Sequence, residues 1–298
     1  MAEIIPKKAN RKTSGSSFTE LAEDFTFSQR SIQDYLDCQR RFELRYLRKL
    51  RWPAVTSEPI DEYEKLTLLG TRFHQLVYRE RSGMDPELLL SYTRDPILRG
   101  WFENYLTYFP RPDLAESFAE ISLAGSWQKQ YRMMAKYDLV YRSSGKGYRI
   151  VDWKTTRNRP GRDRWQNRVQ TALYPLLFSA VGSELFPESD FFQDGLEMVY
   201  WYPEFPTQPE IFTYSREQAE EDRLKLLEIL SEIASKPAAP EEFPKTENTE
   251  RCRFCVYRSF CGRGKKAGIL DDELAAALDE EDLNLNNIDF DEINVIKY

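Results

Sequence analysis

The chain has 298 residues, 41% hydrophobic and 14% aromatic, with four cysteines, a single histidine (His74) and a net charge of −7. That length and apolar content suit one large domain or two small ones with a sizeable core. No apolar run approaches the roughly 18 residues of a transmembrane helix, and one histidine excludes a Cys2His2 finger or a histidine-rich zinc site.

Residues 1–25 are polar and rich in serine and lysine, and are expected to be disordered. They lack the apolar stretch of a secretory signal. A cytoplasmic setting is therefore expected, where four cysteines bind metal or stay reduced more readily than they form disulfides. Ser31 to Leu50 reads as one helix, with Ile32, Tyr35, Leu36, Phe42, Tyr46, Leu47 and Leu50 near helical spacing. Leu66 to Arg81 is a second helix and carries His74. Residues 86–109 form one or two further helices rich in aromatic side chains.

From Glu116 the apolar period changes. Segments 116–124, 130–141 and 148–154 read as strands, with Ser143 to Gly147 as the hairpin turn between the last two. A helix follows at 163–181, with Pro175 inside it as a candidate kink. Residues 195–202 and 209–214 form a strand pair. Ser215 opens a helix to about Ser235, and Gln218 three residues on completes a capping box. Pro237, Pro240 and Pro244 mark a loop that leads to a cysteine-rich segment. The order helix, three strands, helix, strand predicts an α/β core with helices inserted before it; no internal repeat is present.

Charge is uneven along the chain. Residues 271–298 hold ten acids and one lysine, a charge of −9, which leaves +2 for residues 1–270. Within that body lie three basic clusters: Arg40, Arg41, Arg45, Arg48, Lys49 and Arg51; Lys154, Arg157, Arg159, Arg162, Arg164 and Arg168; and Arg251, Arg253, Arg258, Arg263, Lys265 and Lys266. One such cluster is no more than a solvated face. Three, each beside a motif described next, favour a polyanion as partner. The acidic tail also carries nine large apolar residues from Leu274 to Ile296, which fits either a solvated end or a segment that docks on a partner or over the basic groove.

The third strand ends Ile150-Val151-Asp152-Trp153-Lys154. Residues two apart in a strand share a face, so Asp152 and Lys154 project together. Asp138 lies in the preceding strand, where an antiparallel hairpin brings it beside Asp152. Paired carboxylates repel and need a cation or a proton; a hard divalent ion is the usual answer, and it can activate water against a phosphoryl group. A bare Asp-x-Lys is common, and alone it marks an ordinary surface pair.

Together these residues resemble the PD-(D/E)XK nuclease superfamily, and specifically its RecB-like branch. Asp138 followed by Asp152-Trp153-Lys154, His74 on a helix before the strands, and Gln170-Thr171-Ala172-Leu173-Tyr174 on the helix after them match the motifs of that branch. The resemblance spans roughly residues 27–266. It implies a restriction-endonuclease-like αβββαβ core with inserted helices, and a Mg2+- or Mn2+-dependent deoxyribonuclease. In it His74, Asp138, Asp152 and the Trp153 carbonyl hold the metal, and Lys154 positions or activates the attacking water. Gln170 and Tyr174 contact the substrate backbone or order Lys154. Glu120, on the first strand, is a candidate for a supporting or second-metal carboxylate. One departure is Tyr137 beside Asp138, where a smaller residue is usual and where the ring would crowd the site.

Cys252-x-x-Cys255-x5-Cys261 closes the folded body, and Cys38 stands more than 200 residues earlier. All four fit a single tetrathiolate site for zinc or an iron–sulfur cluster, and the spacing does not decide between them. RecB-like nucleases similar to AddB and to the CRISPR adaptation nucleases carry one cysteine before the core and three after it. The resemblance therefore implies a [4Fe–4S] cluster that staples the N- and C-terminal ends, with zinc as the alternative.

The expected organisation is a disordered segment 1–25, a nuclease domain 26–266 and an acidic tail 267–298. The expected activity is an exonuclease on single-stranded DNA or DNA ends, in repair, recombination or CRISPR adaptation, with a helicase or integrase as a possible partner. Arg157, Arg159, Arg162, Arg164 and Arg168, with the basic residues around the cysteines, are the candidate phosphate contacts. The alternative is a catalytically inactive DNA-binding or zinc-stapled interaction protein with the same fold. No membrane contact is expected, and without a Walker A motif any ATP-driven unwinding comes from another chain.

Overall fold

The structure, a computed structural model, describes residues 21–264 apart from 23, 53–57, 114–115, 128–129, 144, 146, 188 and 238, and apart from the side chains of 58–64. Most of the expected disordered N-terminus, the acidic tail with its docking role, Lys265, Lys266 and part of the hairpin turn lie outside the described residues. The rest is a mixed α/β fold. Among the described residues no helix is long and apolar enough to cross a membrane.

In chain order the elements are β1 (Thr26–Phe27), α1 (Gln29–Asp37), α2 (Gln39–Phe42) and a π-helical turn (Glu43–Leu47); then α3 (Glu58–Arg81), α4 (Pro86–Tyr92) and α5 (Pro96–Tyr108). There follow β2 (Ser117–Trp127), β3 (Tyr131–Ser143), β4 (Gly147–Trp153), α6 (Arg162–Gln166), α7 (Val169–Val181), α8 (Phe191–Asp194), β5 (Leu196–Trp201), β6 (Glu210–Thr213) and α9 (Arg216–Ser235). The predicted order of helix, three strands, helix and strand is present. The sheet runs β2-β3-β4-β5-β6, antiparallel throughout except for the parallel pair β4–β5. β2 occupies one edge of β3 along most of its length, so the other edge is shared by β1, parallel, and β4.

Two apolar layers sandwich this sheet. One joins α1, α7 and α9 through Tyr35, Leu173, Leu177, Phe178, Leu226 and Leu230 to Tyr148, Ile150, Met198 and Tyr200. The other joins α3, α4 and α5 through Phe73, Val77, Leu89, Trp101 and Tyr105 to Val151, Trp153, Val199 and Trp201. β4 and β5 are thus buried on both faces, which is why Tyr148–Trp153 and Leu196–Trp201 read as near-continuous apolar runs. The hairpin into β4 packs tightly: Gly147 has φ +70°, and a Cβ there would meet the Gly195 carbonyl oxygen at 2.2 Å.

Several expected boundaries move. The helix expected over 31–50 is two pieces. Ser28 and Ser31 cap α1 reciprocally, and the extended backbone of Cys38 (φ −165°, ψ 105°) ends it. The segment 86–109 is two helices because Asp85-Pro86 and Asp95-Pro96 each make a start: the Asp side chain accepts from backbone N–H groups and Pro sits at the first helical position. The helix expected over 163–181 breaks at Asn167 and Arg168. α9 keeps half of its capping box. Ser215 accepts from the Gln218 amide at 3.2 Å, but the Gln218 side chain donates to Asp222 instead of back to the cap.

Candidate active site

β2 and β3 change phase at one place. In β3, Tyr131, Met133, Ala135 and Tyr137 face the α7 layer, whereas Leu139 and Tyr141 face the α3 layer. In β2, Ile121 and Leu123 pack on the α7 side and Ala119 on the other. The ladder pairs Ala119 with Leu139 and Ile121 with Tyr137 but skips the residues between, Glu120 and Asp138. Glu120 takes a left-handed backbone there, φ +52°. Such a conformation costs a non-glycine residue about 1–3 kcal/mol and concentrates at functional sites. Here it turns the Glu120 carboxylate toward Asp138 and His74.

His74 reaches the same point from α3. Its neighbour Phe73 is fully buried among Trp101, Tyr105, Trp153 and Trp201, with ring centroids 6.2–6.5 Å away, which fixes the rotation of the helix. His74 Nδ1 lies 3.3 Å from Asp138 Oδ1 and 3.7 Å from Glu120 Oε1. One ligating atom from each of the three falls within 4.8 Å of the others, a set suited to a divalent cation. Glu120 Oε1 is buried and accepts no hydrogen bond, as expected of an acceptor shaped for a cation. Asp138 Oδ2 accepts from the Trp153 backbone N–H at 2.8 Å. Burial alone would push the Asp138 carboxyl up, but His74, the Trp153 amide and Lys154 outweigh it and hold it below the usual range.

A second group sits at the end of β4. Lys154 Nζ lies 2.8 Å from Asp152 Oδ2 and donates to Gln170 Oε1 at 3.3 Å, while Gln170 Nε2 donates to Asp152 Oδ1 at 2.5 Å. The ammonium also lies over the rings of Trp165 and Tyr200, 5.2 and 5.5 Å from their centroids. Extending the β3–β4 register by one residue from Leu139 and Val151 sets Asp138 opposite Asp152. Three carboxylates, from β2, β3 and β4, therefore occupy one row of the sheet.

Against the sequence expectations, His74, Asp138, Asp152, Trp153, Lys154 and Gln170 gather in one place. Asp152, expected as a metal ligand, sits beside this triad, its Oδ1 accepting from Gln170 and its Oδ2 2.8 Å from Lys154 Nζ, and Glu120 completes the converging set. Tyr174 is buried to 2% exposure against Tyr137, ring centroids 5.0 Å apart, and so offers no surface to a substrate. Tyr137 does not crowd the site. It points into the α7 layer and donates to the Tyr174 carbonyl.

The four cysteines carry no disulfide and line one cavity with Arg41, Lys245, Arg251, Arg258 and Arg263. Among the described residues no three thiols converge within 4.8 Å. Burial pushes the Cys255 thiol up to about 11. The cavity closes where the two chain segments meet. Arg40 donates from its backbone to the Pro244 carbonyl and from its guanidinium to that of Pro240, Tyr257 OH donates to the Leu50 carbonyl, and Trp52 donates to Ser259.

The basic clusters are more engaged than expected. Arg41 and Arg45 pair with buried Asp34, and Arg40 and Arg48 with fully buried Glu43. Arg159 and Arg162 both bind Glu210, a buried carboxylate on β6, and donate as well to the Gln208 and Ile211 carbonyls. These cations brace loops on the protein surface.

The sequence profile of the PD-(D/E)XK nuclease superfamily matches residues 26–262, most of the chain and all of the geometry above. The chain belongs to the PD-(D/E)XK nuclease superfamily. Members are typically nucleases that use divalent metals. No curated protein compared with the chain matches it significantly. Among solved structures, this PD-(D/E)XK chain is similar to a Eubacterium rectale protein provisionally named an exonuclease, at 12% identity and TM-score 0.43, covering 93% of this chain and 100% of that one. It is also similar to the structure of SSO0001, at 16% identity and TM-score 0.36, covering 82% and 89%. Both scores are below 0.5, and the family match alone places the chain.

Proposed function

We propose that the chain is a Mg2+- or Mn2+-dependent deoxyribonuclease of the RecB-like branch, acting on single-stranded DNA or DNA ends. The observation that carries this reading is the cation-ready triad His74, Glu120 and Asp138 set beside an Asp152–Lys154–Gln170 network on the same sheet row. An ion held there would polarise a phosphoryl oxygen and acidify a water. The chain's own groups do the remaining work. Phe73 fixes His74, the Trp153 amide orients Asp138, and Gln170 with Asp152 holds the Lys154 ammonium ready to offset negative charge as it builds on the phosphate.

The four thiols around a cationic cavity support an iron–sulfur staple. The four thiols share one cavity lining, from both ends of the described chain, and a tetrathiolate zinc remains the alternative occupant. For the nuclease, Asp152→Ala and Lys154→Ala should each abolish Mg2+-dependent shortening of end-labelled single-stranded DNA. Two variants that cut like wild type would overturn the assignment.

A further inference from the structure

Trp52 and Phe260 stand in water where the two ends of the described chain meet, 37% and 41% exposed. Their rings touch edge to face, with centroids 5.1 Å apart and planes at 71°. Single exposed apolar side chains are ordinary on a surface, whereas two large rings grouped there mark a contact site. The pair is also held in place. The Trp52 indole N–H donates to Ser259 Oγ at 2.8 Å, and the Tyr257 hydroxyl donates to the carbonyl of Leu50, two residues before Trp52. Lys49, which leads into this segment, takes a left-handed backbone, φ +48°, as Glu120 does in the active site. With the indole N–H bonded and the rings meeting edge to face, ring faces stay open to a flat partner.

The surroundings are cationic. Lys49, Arg51 and Arg263 are exposed, and neither residues 49–52 nor residues 251–266 contain an acid. Open ring faces beside cations suit a single nucleic-acid strand, whose bases stack on the rings while its phosphates meet the charges. We infer that Trp52 and Phe260 form a stacking platform for unpaired bases, with Lys49, Arg51 and Arg263 on the phosphates of the same strand. The inference rests on reading the chain as a nuclease of single strands or DNA ends, and it gives that strand a holding point outside the active-site row. A duplex keeps its base faces inside its own stack, so the platform favours single strands and frayed ends. An acidic protein segment would answer the cations but not the ring faces. α1 ties this end of the molecule to the catalytic helix, since its Gln33 side chain accepts from the amide of Val169, the residue before Gln170.

The test compares two labelled strands of equal length and charge, oligothymidylate and a fully abasic strand, binding to the full-length protein by fluorescence anisotropy. Ca2+ replaces Mg2+ so that neither strand is cut. The readout is the ratio of the two affinities, which a general loss of fold or of phosphate contacts leaves unmoved. Wild type should prefer the thymidylate strand by roughly tenfold or more, the worth of stacking a base or two. Trp52→Ala and Phe260→Leu should each lose most of that preference and keep wild-type affinity for the abasic strand, while Trp52→Phe should retain most of it. A ratio unchanged in either Trp52→Ala or Phe260→Leu would overturn the inference. Equal affinity of wild type for both strands would also overturn it, leaving the pair to a protein segment while strand binding itself stands. A wild type that binds neither strand would sink the platform and the single-strand reading together.

Discussion

Gln170→Ala separates the holding of Lys154 from its presence. Gln170 is buried to 1% exposure and makes two contacts to charged partners, accepting from Lys154 and donating to Asp152. A hydrogen bond to a charged group is worth about 1.5–3 kcal/mol net. The two are not additive here, because Lys154 keeps its 2.8 Å pairing with Asp152 and its place over Trp165 and Tyr200. A loss of about 1.5–3 kcal/mol in the transition state lowers kcat by about 10- to 150-fold. KM should hold, since Gln170 is too buried to bind DNA itself. Single-turnover degradation of labelled single-stranded DNA at saturating Mg2+ measures this. Gln170→Glu sharpens the test. It keeps an oxygen for Lys154 but sets a carboxylate against Asp152, so its loss should exceed that of the alanine variant. A wild-type kcat in Gln170→Ala, or a change confined to KM, would refute the positioning role.

Two further outcomes follow from the cysteine end of the molecule. Asp34→Asn removes the buried charge that Arg41 and Arg45 share, while Arg41 keeps Asp37 at 2.9 Å, so the cost should fall at the low end of the roughly 3–5 kcal/mol for breaking a buried pair and lower Tm on the order of 10 °C; a melt within about 2 °C of wild type would mean the network is dispensable. Burial pushes the Asp34 carboxyl up, but Arg41, Arg45, Arg30 and the Tyr46 hydroxyl more than reverse it. Its folded pKa is thus depressed, so its contribution is complete above the ordinary value of 3.8 and is lost as pH falls below it; wild type and Asp34→Asn should converge in stability in strong acid. The staple predicts a brown anaerobic preparation absorbing near ~400 nm with about four irons per chain. Cys255→Ser should lose the iron and destabilise the fold by on the order of 5 kcal/mol as an upper bound, since it opens a loop of more than 200 residues. A colourless protein with one zinc would reject the cluster.

The fold was legible where one physical pattern acts alone. β4 and β5, buried on both faces, announce themselves as apolar runs, and Asp-Pro starts α4 and α5. Asp152 and Lys154 were legible because residues two apart in a strand share a face, and Asp138 because a hairpin sets it opposite Asp152; His74 and Gln170 were named through the motifs of the family the chain resembles. Alternation along β2 from Leu123 and Ile121 sets Glu120 on the α3 face, where His74 stands, but the change of phase beyond it has no counterpart in the sequence pattern. A left-handed backbone at a glutamate has no local sequence signal, since nothing short of the tertiary site rewards the strain. The break at Cys38 was missed for a related reason. The apolar residues from Ile32 to Leu50 keep near-helical spacing on both sides of it, and only contact with residues 240–261 shows why the chain must turn there.

The arginine clusters show most clearly how a sequence overstates a charge. Reading Arg157, Arg159, Arg162, Arg164 and Arg168 as five phosphate contacts predicts a log–log salt slope of about −3.5 from this segment, at roughly −0.7 per contact with a single strand. Glu210 stands about 50 residues away in the chain, yet it binds two of the five. With Arg159 and Arg162 held on β6, the segment contributes no more than about −2. Glu210→Gln removes the charge that holds them while keeping a side chain of the same shape. Both arginines should then reach phosphate, and the slope should steepen by about 1.4. The measurement is DNA affinity across a salt series, with Ca2+ in place of Mg2+ so that the strand is not cut. A Glu210→Gln slope equal to wild type would show that these guanidiniums belong to the loop whatever their charge balance. Steepening would instead show that Glu210 trades some DNA affinity for an ordered path from Lys154 to α6, which places Trp165 under the ammonium.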